Sequence, residues 1–138
     1  MKGLLVIVGL LGIVGLLDCC QSAEQVEFNR SYSAGSAVYQ THCQNCHGDK
    51  GQGLAALIPP LTDSPYLMER RHQLPCYLQH GLNGKISVNN VEFESKMPPA
   101  NLSPIEVVQV LTYITNSFGN KNPSINSDGV DKDLIGCK

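Results

Sequence analysis

The sequence predicts one small, all-α domain, and three observations support this fold class. A length of 138 residues fits a single domain of modest size. Gly35, Tyr39 and Cys43 follow each other at four-residue spacing, which places them on one face of a helix. After Ser103, apolar residues recur at helical spacing and predict a second helix. The hydrophobic content of 42% excludes a disordered chain, and the formal charge of −2 argues against an electrostatic nucleic-acid binder.

Residues 1–19 are predicted to be an export signal, which we exclude from the folded domain. Residues 3–17 form an uncharged apolar run, shorter than the roughly 20 residues that span a bilayer. The run ends in cysteine and resembles bacterial lipoprotein signals, in which the cysteine becomes the lipidated first residue. This resemblance makes Cys20 the expected lipidation site and membrane anchor.

Two other fates of this segment stay open, namely cleavage near Ala23 and retention as a short membrane anchor. All three place the mature domain on the periplasmic side of a bacterial membrane, where disulfides persist. The polar residues 20–32 are predicted to form a flexible tether.

Cys43-Gln44-Asn45-Cys46-His47 is a C-x-x-C-H motif, which predicts covalent attachment of one haem c. Two thiols three positions apart on one helical turn can both reach the vinyl groups on one edge of a porphyrin. The next residue, His47, is then held under the iron as a proximal ligand. Half of a zinc site and a thioredoxin-like redox pair are disfavoured, because neither a second ligand pair nor a βαβ context accompanies the motif.

These features resemble the class I monohaem cytochrome c family over residues 33–118. The family fold has N-terminal and C-terminal helices that cross around the haem, and the glycine at position 35 permits their close approach. Ser103-Pro104-Ile105-Glu106 supplies a capping serine, a first-turn proline and a third-position glutamate. The helix is expected to end before Gly119, with an apolar side formed by Val107, Val110, Leu111, Tyr113, Ile114 and Phe118.

The resemblance also implies the remaining site residues. Met97-Pro98-Pro99 looks like the distal-ligand segment, so Met97 is expected to bind the iron and raise its reduction potential. The carbonyl of Pro59, or that of Pro60, is expected to accept the proton on the far nitrogen of His47. If Met97 is not the ligand, His80 is the first alternative.

The segments after the motif contain a predicted short helix over 75–80 and a small hairpin over 86–93, ahead of Met97. Cys76 and Cys137 are the thiols that remain after the haem and the signal. In an oxidising compartment a disulfide between them is the economical interpretation, and it would tie the extension 119–138 back onto the domain. Free thiols or an intermolecular bond stay open. Small exported cytochromes of Bacteroidetes-like bacteria resemble this chain in carrying such a pair.

The resemblance implies electron transfer and not catalysis. A haem with two strong axial ligands has no open position for substrate, so the expected function is a one-electron carrier of a bacterial respiratory chain. The expected partners are a quinol-oxidising complex and a terminal reductase or oxidase, with no nucleic acid. The alternatives are a haem subunit of a larger oxidoreductase and, if Met97 is not the ligand, a catalytic or gas-sensing haem protein.

Overall fold

The computed structural model describes residues 22–62, 65–123 and 125–137. Its helices are α1 (Ala23–His42), α2 (Gln44–His47), α3 (Pro65–Glu69), α4 (Leu74–His80), α5 (Pro104–Ile114) and α6 (Ser127–Ile135). Strands β1 (Ile86–Val88) and β2 (Val91–Phe93) pair as an antiparallel hairpin. The predicted all-α class with one small hairpin is confirmed. The predicted signal and Cys20 lie outside the described residues.

The crossing of α1 and α5 is the most extensive contact between elements in the described part of the chain. A side-chain carbon at Gly35 would overlap the carbonyl group of Gln109 and lie 2.9 Å from Tyr113 Cβ. Tyr39 and Val110, which flank this contact, are both 0% exposed. The predicted crossing is therefore confirmed. It requires a glycine at position 35, because a side chain there would overlap α5.

Residues 23–32 are helical, which corrects that part of the flexible tether predicted over 20–32, whereas residues 20 and 21 lie outside the described residues. The helix begins at Ala23, because the side chain of Ser22 accepts a hydrogen bond of 3.2 Å from the backbone N–H of Gln25. Further along, the Phe28 ring stacks on Tyr32 of the same helix at a centroid distance of 5.9 Å. The Tyr32 ring in turn packs against Tyr113 of α5 at 5.2 Å, which fixes this part of the helix to the domain. No helix among the described residues is long and apolar enough to cross a membrane.

An aromatic cluster joins the two crossing helices. The Tyr113 ring lies 5.2 Å from Tyr32 and 5.5 Å from Tyr39, between centroids, in tilted arrangements. Phe118 packs against Tyr39 at 5.1 Å and edge-on against Tyr113 at 5.6 Å. Tilted and edge-on pairs at these separations are favourable arrangements for aromatic rings. The cluster therefore stabilises the α1 and α5 crossing beyond the contact at Gly35.

The start of α5 follows its sequence signal, whereas its end does not. The backbone N–H and hydroxyl of Ser103 donate to Glu106 Oε2 at 2.9 and 2.6 Å, and these bonds lower the pKa of Glu106. The helix ends at Ile114 and does not continue to Phe118. Asn120 Nδ2 donates to the Ile114 carbonyl at 2.8 Å, and this side-chain bond satisfies a helix-end acceptor. Phe118 adopts a left-handed φ of 58°, in the turn that follows the helix.

The hairpin forms at the predicted place. Ile86 pairs with Phe93 and Val88 with Val91, which buries Val88 and Phe93 at 2% and 4% exposure. Asn89 and Asn90 have φ values of 51° and 62°. Positive φ at both central residues is the requirement of the tight turn that suits the twist of paired strands.

The C-terminal extension packs back on the domain, and Cys76 is bonded to Cys137. The expected intramolecular disulfide is therefore present. Closing a loop of 61 residues of sequence separation stabilises the fold by about 4 kcal/mol in the chain-entropy model. Val130 of α6 is 2% exposed and belongs to the hydrophobic core.

We expect Gly35→Ala to reduce the free energy of unfolding by about 1–3 kcal/mol, because the added methyl group overlaps the backbone of α5. An alanine in an unobstructed helix would instead stabilise the protein by about 0.5–1 kcal/mol. Ser33→Ala, at an exposed position of the same helix, is the control and should change stability by less than about 0.5 kcal/mol. Guanidinium unfolding of both variants measures the difference. A stabilised Gly35→Ala protein would contradict the close crossing.

Candidate functional site

A large apolar cavity lies in the middle of the domain. The empty space inside it is about 1300 Å³ when its open mouth is included. The walls come from α2 and the loop that follows it, from α3 and α4, from the hairpin, from the segment 95–100 and from α5. Lining side chains that bear on the argument are Cys43, Cys46, His47, Leu82, Met97 and Leu111.

The two motif cysteines lie on one helical turn at the edge of this cavity. The backbone N–H groups of Cys46 and His47 both donate to the Cys43 carbonyl, at 3.1 and 2.9 Å, and so close the turn. Cys43 is half-buried and Cys46 exposed, and both are free thiols. Burial, and to a smaller extent the neighbouring Cys46, raises the pKa of the Cys43 thiol to about 11. Both sulfur atoms are therefore available for thioether formation.

His47 faces the cavity with one ring nitrogen already engaged. Its Nδ1 donates to the carbonyl of Pro59 over 3.1 Å. Burial lowers the pKa of His47, and the bond to Pro59 opposes this only in part, so the imidazole is neutral. A neutral ring protonated at Nδ1 leaves Nε2 as a free lone pair, which is the form that binds a metal.

The loop after His47 holds the Pro59 carbonyl in place. The backbone N–H of Gly53 donates to the His47 carbonyl at 2.8 Å, and that of Leu61 donates to Gly51 at 2.7 Å. Gly53 has a φ of 69°, and a side-chain carbon there would lie 2.8 Å from the carbonyl carbon of Pro59. The glycine therefore allows the turn and the approach of Pro59 to the histidine.

The base of the same loop is tied to the helix crossing. The Tyr39 hydroxyl, in the buried part of α1, donates to the Gly48 carbonyl at 2.6 Å. Asn120 Nδ2, beyond α5, donates to the Leu61 carbonyl at 2.7 Å. Both ends of the loop are thus fixed by groups from the two crossing helices and their flanks.

Met97 lines the cavity from a different segment. Its backbone N–H and carbonyl exchange hydrogen bonds of 2.9 Å with Leu82, in an isolated antiparallel bridge. Three residues later, the N–H of Ala100 donates to the Leu78 carbonyl of α4 at 2.8 Å. A side-chain carbon at Gly81 would overlap the Met97 carbonyl and lie 3.0 Å from Pro99 N. Met97 is therefore held against the C-terminal end of α4.

The other histidines and methionine are placed differently. His80 is exposed at the end of α4 and is not among the residues that line the cavity. Met68 is 44% exposed on α3 and also lies away from the lining. His42 is exposed at the rim of the cavity, and His72 donates to Asp133 at 3.1 Å.

Several residues of the site are not predicted from the sequence. Gly81 and Leu82 fix Met97, and Tyr66 and Tyr77 line the cavity. Burial raises the pKa of Tyr66 to about 12, so its phenol is neutral at physiological pH. The histidine-glycine pair at the end of α4 was visible as a helix-end signal, but its contact with position 97 had no local signal.

The residues of the cavity fit a covalently bound haem. The cavity offers the groups that covalent attachment of a haem uses, namely two thiols on one turn and a neutral imidazole with Nε2 free. Its walls are apolar and include the side chain of Met97. Cys43 and Cys46 would form the thioethers, and His47 would bind the iron. Such a haem supplies reversible exchange of one electron.

We expect Gly81→Ala to lower the free energy of unfolding by about 1–3 kcal/mol more than Gly84→Ala does. Both glycines have left-handed φ values, 77° and 101°, so backbone strain is common to the two variants. Only at position 81 does the new carbon meet protein atoms, whereas it meets nothing within 4 Å at position 84. Equal losses in guanidinium unfolding would show that the Met97 segment does not press on Gly81.

Known proteins are similar in sequence to this chain over most of the domain. The chain matches the family described as Cytochrome c over residues 32–117. It is 31% identical to cytochrome c-552 of Thermus thermophilus over 90 residues, which cover 62% of this chain and 68% of that protein. It is 29% identical over 99 residues to the protein named alcohol dehydrogenase (quinone), cytochrome c subunit, of Gluconacetobacter polyoxogenes.

The second of these relatives is much longer than this chain. The match covers 69% of this chain and 21% of the alcohol dehydrogenase subunit, so the chain spans about a fifth of its length. The same-named protein of Komagataeibacter europaeus matches to the same extent. With more than half of its residues matched to one family, this chain belongs to the class I monohaem cytochrome c family, which implies a covalently bound haem c and electron transfer.

Proposed function

We propose that this chain is a one-electron carrier whose haem iron is bound by His47 on one side and by Met97 on the other. The observation that carries the proposal is that both side chains line one apolar cavity from separately fixed segments. The Pro59 carbonyl orients the imidazole, and the bridge to Leu82 holds the methionine backbone. With both axial positions filled by protein, no position remains for oxygen or a substrate.

The residues around the iron would set its reduction potential. A thioether is a soft, neutral ligand and favours the ferrous state, so Met97 raises the potential. The bond from His47 Nδ1 to Pro59 increases the electron donation of the ring and opposes this effect in part. The apolar walls disfavour the extra charge of ferric iron, which again raises the potential.

Electron exchange would take place at the mouth of the cavity. Leu54 and Leu57, in the loop before Pro59, are 54% and 59% exposed. The formal charge of the whole chain is only −2, and the sequence contains no run of lysines around the motif. We therefore propose that the protein docks with its partners through apolar contacts, with weak dependence on salt. The proposed partners are a quinol-oxidising complex, which donates the electron, and a terminal reductase or oxidase of a respiratory chain, which accepts it.

A haem subunit of a larger oxidoreductase is the second candidate. The similarity to subunits named alcohol dehydrogenase (quinone), cytochrome c subunit, favours it. Gel filtration of detergent-solubilised native membranes distinguishes the two roles. A mobile carrier elutes alone, whereas a subunit elutes with the catalytic chains of its complex.

We further propose that the domain is held on the periplasmic side of a bacterial membrane by a lipid on Cys20. The bond between Cys76 and Cys137 supports an oxidising compartment. The apolar run over 3–17 and the cysteine pair after it support export with lipidation.

Replacing Met97 by alanine tests the proposed ligation. We expect the ferric wild-type protein to show the weak near-infrared sulfur-to-iron band and Met97→Ala to lose it. The reduction potential should fall by on the order of 0.1 V, within the roughly 0.8 V over which axial ligands tune haem. His80→Ala is the control and should leave both band and potential unchanged, because His80 is exposed outside the cavity lining.

The same spectra can contradict the carrier function. High-spin ferric iron that binds azide readily in the wild-type protein would show a vacant sixth position, as in a catalytic or sensing haem protein. A near-infrared band that survives in Met97→Ala would exclude Met97 as the sulfur ligand.

Metabolic labelling with palmitate tests the anchor. We expect label on the wild-type chain, loss of label and of membrane association in Cys20→Ser, and retention of both in Cys19→Ser. The two adjacent cysteines make this a matched pair of variants. An unlabelled wild-type chain whose N-terminus lies near Ala23 would show ordinary secretory cleavage instead.

A further inference from the structure

We propose that the C-terminal extension is a positioning element for the distal ligand. Through Cys137 and α6 it holds α4 in place, and α4 in turn supports the segment that carries Met97. The inference rests on the proposed function, because it takes Met97 to be the ligand. None of the residues of the extension needs to touch the haem for this role.

One side of α4 is attached to the extension at two points and packed against it at a third. Cys76, in the middle of the helix, is bonded to Cys137. Just before the helix, His72 Nδ1 donates to Asp133 of α6 at 3.1 Å. Val130 of α6 is 2% exposed and packs in the same hydrophobic core as Leu74 and Leu78.

The other attachments of α4 lead to Met97. Leu78 lies two positions after Cys76, and its carbonyl accepts the N–H of Ala100 at 2.8 Å. Gly81, directly after the helix, is in contact with the carbonyl of Met97, and Leu82 exchanges two hydrogen bonds with it. A displacement of α4 would therefore displace Leu78, Gly81 and Leu82, which are the residues that hold the backbone of the Met97 segment.

The helix is too short to keep this position by itself. It has seven residues, and its N-cap, Gln73, makes no side-chain capping bond. Isolated helices shorter than about 12–15 residues are marginal in water, so the position of α4 depends on the elements packed against it. In the described parts of the chain, the elements that pack most extensively against α4 are α5 and α6. The extension supplies α6 and the covalent bond.

Loss of this support should increase the fraction of molecules in which Met97 has left the iron. Local opening of this kind has its own free energy, which is smaller than that of global unfolding. An external ligand that binds only when Met97 has left reports this fraction directly, since its apparent affinity scales with the open population. Imidazole added to the ferric holoprotein is a suitable probe.

The experiment compares imidazole affinity in the holoprotein, wild type and Cys76→Ser/Cys137→Ser. We expect the double variant to bind imidazole about 5- to 150-fold more tightly, in the range of coupling between distinct sites. Its near-infrared sulfur band should weaken only by the fraction of molecules in which Met97 has left the iron. Tyr32→Phe is the control, because it removes a 2.9 Å bond that joins α1 to Ser117, in the turn after α5, and not to α4 or α6. It should lower stability and leave imidazole affinity unchanged.

Val130→Ala keeps the disulfide and serves if the double variant does not fold. It should also bind imidazole more tightly than wild type, by a smaller factor, because it loosens the packing of α6 alone. Wild-type affinity in both variants would overturn the positioning role. An equal gain in Tyr32→Phe would overturn it too, since the effect would then follow general stability.

Failure of the proposed function gives a different pattern. If Met97 is not the ligand, the sulfur band is absent from the wild-type protein or survives in Met97→Ala, and Met97→Ala binds imidazole no more tightly than wild type. If Met97 is the ligand and only the positioning role is wrong, Met97→Ala binds more tightly while the disulfide variant does not.

Discussion

The close crossing of α1 and α5 at Gly35 is the constraint on which the site depends. Because no side-chain carbon fits at Gly35, the backbones of the two helices lie in direct contact, with Tyr39 and Val110 fully buried beside the contact. The contact sets the direction in which α1 delivers Cys43 to the cavity. It also presents Leu111 of α5 as a wall of the cavity. This one packing contact therefore fixes both the segment that carries Cys43 and the apolar wall at Leu111.

The two proposed ligands are positioned by different kinds of interaction. His47 is fixed locally, since the turn of Cys43 and the loop to Pro59 lie within the same stretch of chain. Met97 is fixed by the two hydrogen bonds that its own backbone makes with Leu82. A further hydrogen bond, from Ala100 to Leu78, holds the segment that follows it. Local contacts form with little loss of chain entropy, whereas the contacts of the distal segment depend on the position of α4. The distal side is therefore the more easily opened half.

The features that were predictable from sequence are those with a local cause. The motif around Cys46, the capping residues of α5 and the paired asparagines of the hairpin each carry their physical reason within a few residues. The early start of α1 had such a signal too, in Ser22 and Gln25, but the polar composition around them suggested a tether. The end of α5 could not be predicted locally, because it depends on the side chain of Asn120 bonding back to Ile114.

The bond between Cys76 and Cys137 makes the second half of the domain a covalent ring that contains the hairpin, Met97 and α5. The tip of that hairpin, Asn89 and Asn90, is exposed and is the kind of turn that proteases cut. A cut there leaves two pieces that remain linked through the disulfide. Reassembly of the site after such a cut is an intramolecular event, governed by the effective concentration within one molecule and independent of dilution.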